Sequence, residues 1–392
     1  MFKREISSIL LTRIREPRRC LQVVVGPRQV GKTMAVQQAL SDFGGACTYR
    51  LVEGLVGNPV DGIEEAWNQA RLAAKGSGGH VLVFDEIQKA PGWSERVKRL
   101  WDEDTFTGTP LKVVLLGSSR LLLQKGLNES LMGRFELIEA WHWSFGEMQA
   151  AFGFTMDDYV LFGGYPGAAE WRSDESRWME YVRNSIVEPS ISNDILQMEQ
   201  VNKPALLRRL FYLGCNYSAR ILSYQKMLGQ LQDAGNATTL AHYLRLLGEA
   251  GLLAGLEKFS GESVRTKASS PKLAVCNNAL SLALASRMPS EIRNHPEEWG
   301  HVVESAVGAH LLATARKDRV EVFYWNVGAK EVDFVLRKGD RLAALEVKSA
   351  SASRIPGIHE FKAKYPMAKA HLIGGQGIPL ETFFASSAID YL

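Results

Sequence analysis

Residues 23–36, VVVGPRQVGKTMAV, limit what this chain can fold into more than any other stretch. An apolar run stops at Gly26, a short polar loop follows, and a helical pattern resumes at Gly31-Lys32-Thr33. Gly26, Pro27, Arg28, Gln29, Val30, Gly31, Lys32 and Thr33 fit G-x-x-x-x-G-K-[ST] without a mismatch. Glycines let the backbone N–H groups curl toward a phosphate, and the helix start adds partial positive charge. In such a loop Lys32 reaches β- and γ-phosphates, and the Thr33 hydroxyl offers one coordination position to Mg²⁺. The expected ligands are ATP and Mg²⁺.

A phosphate loop needs an acid at the end of a second buried strand. VLVFDEIQKA supplies Asp85, which would hold Mg²⁺ through water, and Glu86, which would polarise the attacking water. A third run, VVLLGSSR, ends in Ser118, placed to sense the γ-phosphate, and Arg134 in SLMGRFE is a candidate for neutralising transition-state charge, in its own subunit or a neighbour's. The runs CLQVVVG, HVLVFDE and LKVVLLGSS suit strands buried on both faces of a parallel sheet, with GIEEAWNQARLAAKG as a helix between two of them. Residues 1–140 therefore read as an α/β ATPase core.

At 392 residues the chain is too long for one core, so two or three domains are expected. A net charge of +3 allows a nucleic-acid partner without demanding one. The cysteines Cys20, Cys47, Cys215 and Cys276 form no CxxC, which argues against a zinc site or a disulfide framework. The charged N-terminus lacks the apolar stretch of a signal peptide, and no run has the length of a membrane span, so the expected address is the cytoplasm.

GPRQVGKT, FDEIQKAPGW, LLGSSRLLL, GRFELIEAWHWSFGEM, GGYPGAA and SPKLAV, in this order, resemble the bacterial and archaeal AAA-type ATPases with a C-terminal DUF4143 domain. The resemblance implies a P-loop NTPase (AAA-like) parallel-sheet core, a helical region at 141–203, a winged-helix segment at 204–275 and an α/β restriction-endonuclease-like domain at 276–392. Two departures stand out. WHWSF replaces a Pro-Leu-Ser turn, and Asn193 stands where an arginine is expected before Asp194-Ile195.

The helix of the winged segment that begins near Thr238 would offer Thr239, His242 and Arg245 to a DNA groove. EKFSGESVRTK then reads as a wing with Lys258, Arg265 and Lys267 as phosphate contacts. Further on, EVDFVLRKGDRLAALEVKS reads as a hairpin turning at Lys338-Gly339. That turn sets Asp333 opposite Ala344 and Glu331 opposite Glu346. Asp333 and Glu346 then become diagonal neighbours, with Cα atoms roughly 7–8 Å apart and Lys348 beside them. Val332, Phe334, Leu345 and Val347 would face the other way. Asp…Glu-x-Lys resembles the signature of restriction-endonuclease-like nucleases, which adds Glu304 as a third metal ligand and gives Lys348 the task of orienting or deprotonating water.

The leading functional expectation is an ATP-driven machine acting on DNA, working as a homo-oligomer. Its rival is a nucleotide-gated signalling or defence switch with a protein partner and a nuclease-like fold kept as a scaffold. A Mg²⁺-dependent nuclease gated by ATP is a narrower third option.

Overall fold

The structure, a computed structural model, describes residues 2–54, 58–77, 79–117, 127, 130–196, 201–232, 235–261, 269–349 and 356–392. They gather into two compact units, Met1–Trp141 and His142–Leu392.

The first unit is an α/β layer structure. Its strands are β1 (Leu21–Val25), β2 (Cys47–Leu51), β3 (His80–Asp85), β4 (Leu111–Gly117) and β5 (Phe135–Glu139). They lie in the order β2-β3-β4-β1-β5, and every neighbouring pair is parallel. The helices are α1 (Glu5–Arg15), α2 (Lys32–Phe43), α3 (Pro59–Ser77) and α4 (Trp93–Thr107). Alternation along β1 explains why every one of its residues is buried. Leu21, Val23 and Val25 pack with Trp67, Phe84 and Trp101, whereas Val24 packs with Leu10, Val36 and Ala39. Parallel strands end on a common edge, so Gly26 after β1 and Asp85 at the end of β3 reach the same side. Only β4 stands between those two strands, a separation of roughly 10 Å. Gly26 is also required for space, because a Cβ there would lie 1.7 Å from the carbonyl oxygen of Ala140.

In the second unit, β6 (Leu253–Lys258), β7 (Lys272–Val275), β8 (Glu321–Val327), β9 (Lys330–Lys338), β10 (Arg341–Val347) and β11 (Lys369–Ile373) form a mixed sheet. Its order is β11-β10-β9-β8-β6-β7. Three helices, Pro204–Asn216, Tyr224–Gln230 and Ala237–Glu249, precede an antiparallel β6–β7 pair. β6 also pairs with β8, through Glu257↔Phe323 and Lys258↔Tyr324, so the strands after the third helix continue the C-terminal sheet. Among the described residues no helix is long and apolar enough to cross a membrane.

The β9–β10 hairpin turns one residue later than the sequence suggests. Arg341 pairs with Lys338 and Leu345 with Phe334, leaving Gly339-Asp340 as the turn, with Gly339 at φ +59°. Ala344 consequently faces Val335, not Asp333. Carried one step further, this register brings Asp333 level with Glu346, and the Asp333 carboxylate accepts the Val347 N–H at 2.8 Å. The expected alternation fails on the other side of β9. Trp325 pairs with Val332 but Phe323 with Val335, so β9 has one residue more than β8 here. Val332 packs in the cluster with Trp325 and Phe361, while Phe334, expected to face away from Asp333, has its ring 5.2 Å from the same ammonium group, Lys272 Nζ, that Asp333 approaches.

Candidate functional site

The loop between β1 and α2 is held from inside. Lys32 is buried, and its Nζ donates to the carbonyl oxygens of Gly26 at 2.9 Å and Pro27 at 2.7 Å. Gly31 begins α2 with φ +81°, which suits glycine. Arg4, just before α1, braces the loop, donating to Val30 O at 2.9 Å and to Trp141 O, at the other end of the unit's sequence, at 3.1 Å.

Thr33 and Asp85 meet across the sheet edge. The Thr33 hydroxyl donates to Asp85 Oδ2 at 2.9 Å, and the Glu86 backbone N–H donates to Oδ1 at 2.9 Å. A third donor is the Tyr49 hydroxyl from β2, whose pKa is raised by burial first and by its bond to Asp85 second. Glu86 stands in the left-handed region with φ +56°, and its carboxylate accepts from Gln88 Nε2 at 2.6 Å. A hydroxyl and a carboxylate oxygen in contact beside a phosphate loop are the hard oxygen donors that Mg²⁺ prefers, so Thr33 and Asp85 fit that ion.

Arg134 is not brought to the loop. In the parallel register Leu21 pairs with Phe135 and Val25 with Glu139. Arg134, just before Phe135, therefore lies level with Cys20 before β1, and the phosphate loop starts six residues further on at Gly26, roughly 20 Å away. Its guanidinium grips Asp102 of α4 with Nε at 2.7 Å and Nη2 at 3.0 Å. The own-subunit role expected for Arg134 is thus corrected by strand direction. Ser118 lies outside the described residues.

The second unit does gather Glu304, Asp333, Glu346 and Lys348, but with an unforeseen member. Lys272, fully buried on β7, places its Nζ 2.6 Å from Glu304 Oε1, 3.0 Å from Glu331 Oε1, 3.3 Å from the Asp333 carbonyl oxygen and 3.6 Å from Asp333 Oδ1. Burial alone would lower its pKa, but the charges of Glu304, Asp333 and Glu331 outweigh burial and raise it. Lys348 Nζ pairs with Glu346 Oε1 at 2.8 Å, and the buried Glu346 Oε2 has no hydrogen-bond partner. Glu304 and Glu346 are each pushed up to about 7, by burial first and by the Asp333 charge second. Among the described residues no group of three or more His, Cys, Asp or Glu is arranged to hold a metal ion. The expected Glu304–Asp333–Glu346 group thus has the Lys272 ammonium beside its first two carboxylates.

On the helix Ala237–Glu249, His242 and Arg245 are exposed and Thr239 is half-buried. Arg245 pairs with Glu249 at 2.6 Å, which cancels part of its charge. Lys258, half-buried, closes β6, while Arg265 and Lys267 lie outside the described residues. Asn193 belongs to the helical stretch Ser190–Ile195, but its side chain lies outside the description.

Three family models match this chain: an AAA domain over residues 18–149, a domain of unknown function (DUF8612) over 154–291 and a domain of unknown function (DUF4143) over 299–380. The chain carries an AAA domain and a DUF4143 domain. Among curated proteins it is 26% identical to uncharacterized protein Rv2008c of Mycobacterium tuberculosis, over 85% of this chain and 71% of that protein. It is 23% identical to uncharacterized protein MJ1544 of Methanocaldococcus jannaschii, over 81% and 72% respectively. Among solved structures it is similar to the Walker-type ATPase PABY2304 of Pyrococcus abyssi, with TM-score 0.49, 15% identity and coverage of 72% and 96%. The acidic cluster draws on more than one match: Lys272 falls in the DUF8612 segment, whereas Glu304, Glu331, Asp333, Glu346 and Lys348 fall in the DUF4143 domain. Sequence reasoning missed Arg4, Tyr49 and Lys272. For Lys272 a signal existed, since a lone lysine opening the apolar run KLAVC has to find a counter-charge if that run is buried.

Proposed function

We propose that the AAA domain binds and hydrolyses ATP with Mg²⁺, and that the chain couples this turnover to remodelling or processing DNA. The observation that carries the first part is the convergence of Lys32, Thr33 and Asp85 on one edge of the sheet. Backbone N–H groups of the loop from Arg28 to Gly31 and the start of α2 would cradle the phosphates. Lys32 would exchange the carbonyls of Gly26 and Pro27 for phosphate oxygens, trading neutral acceptors for charged ones. Thr33 and Asp85 would hold Mg²⁺, which neutralises charge on the β- and γ-phosphates. Glu86, steadied by Gln88, would orient the attacking water.

DNA as the object of the work is supported by three helices followed by an antiparallel strand pair, with His242 and Arg245 exposed on the third helix. The test is ATP turnover with single-stranded, duplex and branched DNA. Turnover is expected to rise with at least one form at low salt and to lose that rise at high salt. Lys32→Ala is expected to cost roughly two orders of magnitude or more with every substrate. Turnover indifferent to all DNA at low salt would remove DNA from the proposal and leave the ATPase.

A second reading is favoured by Lys272, whose charge between Glu304 and Asp333 suits a domain that recognises without cutting. The chain would then be a nucleotide-gated switch, marked by slow turnover, tight nucleotide retention and a protein partner held only in one nucleotide state.

A further inference from the structure

We infer that the ammonium of Lys272 takes the position of a divalent cation in the acidic cluster, so that this centre is built to work without metal. Two carboxylates that converge in a fold of this kind ordinarily need a cation between them, because like charges a few ångströms apart repel strongly in a medium of low polarity. Here Glu304 and Asp333 already share one. Lys272 Nζ lies 2.6 Å from Glu304 Oε1 and 3.6 Å from Asp333 Oδ1, and also bonds the Asp333 backbone. Mg²⁺ requires oxygens at about 2.1 Å and Mn²⁺ suits the same oxygen ligands, so either ion seated between these two carboxylates would press against the ammonium.

Withdrawal of the lysine is not open to it. Its side chain is 1% exposed and belongs to a strand paired with β6, with the Phe334 ring 5.2 Å from Nζ. Taking an ammonium out of water costs several kcal/mol, and what offsets this is contact with several carboxylates at once. Glu331, 40% exposed, supplies the third, and Glu346 is served separately by Lys348. Both cations of the cluster are thus covalent parts of the chain, and water in the cluster would meet a fixed amine where a nuclease centre would present a metal. The charge arrangement is independent of whether the AAA domain works on DNA.

The deciding experiment follows Mn²⁺ binding by electron paramagnetic resonance on the full chain without nucleotide. The parent and Asp333→Asn should give superimposable titrations. Lys272→Met should gain one Mn²⁺ at least roughly tenfold tighter than anything the parent binds, and the double variant Lys272→Met/Asp333→Asn should lose it. If Lys272→Met melts early, added Mn²⁺ should restore its melting temperature, and Asp333→Asn should abolish the rescue. Asp333-dependent Mn²⁺ binding by the parent overturns the inference. So does a folded Lys272→Met that gains no Mn²⁺.

Discussion

Asp85 receives three hydrogen bonds from three parts of the chain: the Thr33 hydroxyl of α2, the Tyr49 hydroxyl of β2 and the Glu86 backbone. The tyrosine competes for an oxygen that the cation would otherwise command, so Tyr49→Phe is expected to lower the Mg²⁺ concentration for half-maximal ATP turnover by roughly threefold, a fraction of the worth of a hydrogen bond to a charged group. A rise in that concentration would instead show that Tyr49 positions Asp85. The acidic cluster yields a pH signature. Glu304 and Glu346 stand at about 7 in the folded chain, above the usual value of about 4.3 in an unfolded one. The folded state therefore holds more protons between those values, and its stability is fully present below about 4.3 and lost as pH rises through about 7. Lys272, Glu331, Asp333 and Lys348 face these carboxyls, and nearby His301, beside Arg220, works in the opposite sense because burial lowers its pKa. Melting of the C-terminal unit should thus fall from pH 5.5 to pH 8 in the parent, and Glu304→Gln with Glu346→Gln should flatten that slope; an unchanged slope would refute the assignment. The meeting of Thr33 with Asp85 was legible because a phosphate-loop pattern calls for an acid at the end of a second buried strand. Tyr49 and Arg4 were not, because each acts through a partner distant in sequence.

Among the elements, the β9–β10 hairpin shows what alternation can and cannot carry. Moving the turn to Gly339-Asp340 shifts the pairing by two residues, which preserves the side of the sheet each residue faces. The company of Asp333 and Glu346 therefore survives the wrong turn. The extra residue of β9 opposite Tyr324 does break the pattern, and no composition signal announces a bulge. At the start of β5, Arg134 ties that strand to α4 through Asp102. Both side chains are at least a third exposed, so Arg134→Ala and Asp102→Ala should each cost no more than about 1 kcal/mol in urea unfolding and leave turnover per folded chain unchanged. A collapse of turnover in Arg134→Ala alone would return this arginine to the transition state, from a neighbouring subunit.

For the whole molecule, assembly is the open consequence of an AAA domain whose Arg134 is held by Asp102 before β5 and whose Arg4, at the loop, is held by the carbonyls of Val30 and Trp141. We expect ATP to shift the chain to a larger species in mass measurement and turnover per chain to rise with protein concentration; a monomer with concentration-independent turnover would rule this out. What the sequence determined by itself was the AAA-type core and the loop proposed to meet phosphates, because a strand, a glycine loop and a helix start are contiguous and their chemistry is local. It also indicated that Asp333, Glu346 and Lys348 would be neighbours, since a hairpin is nearly as local. Only the tertiary structure decided what lies among them. Lys272 and Glu331 are separated by 59 positions, and their meeting at 3.0 Å depends on how β6 and β7 join the C-terminal sheet. Long-range pairing of that kind leaves no periodic mark on the chain, because it is set by which buried charge finds which partner once the core has closed.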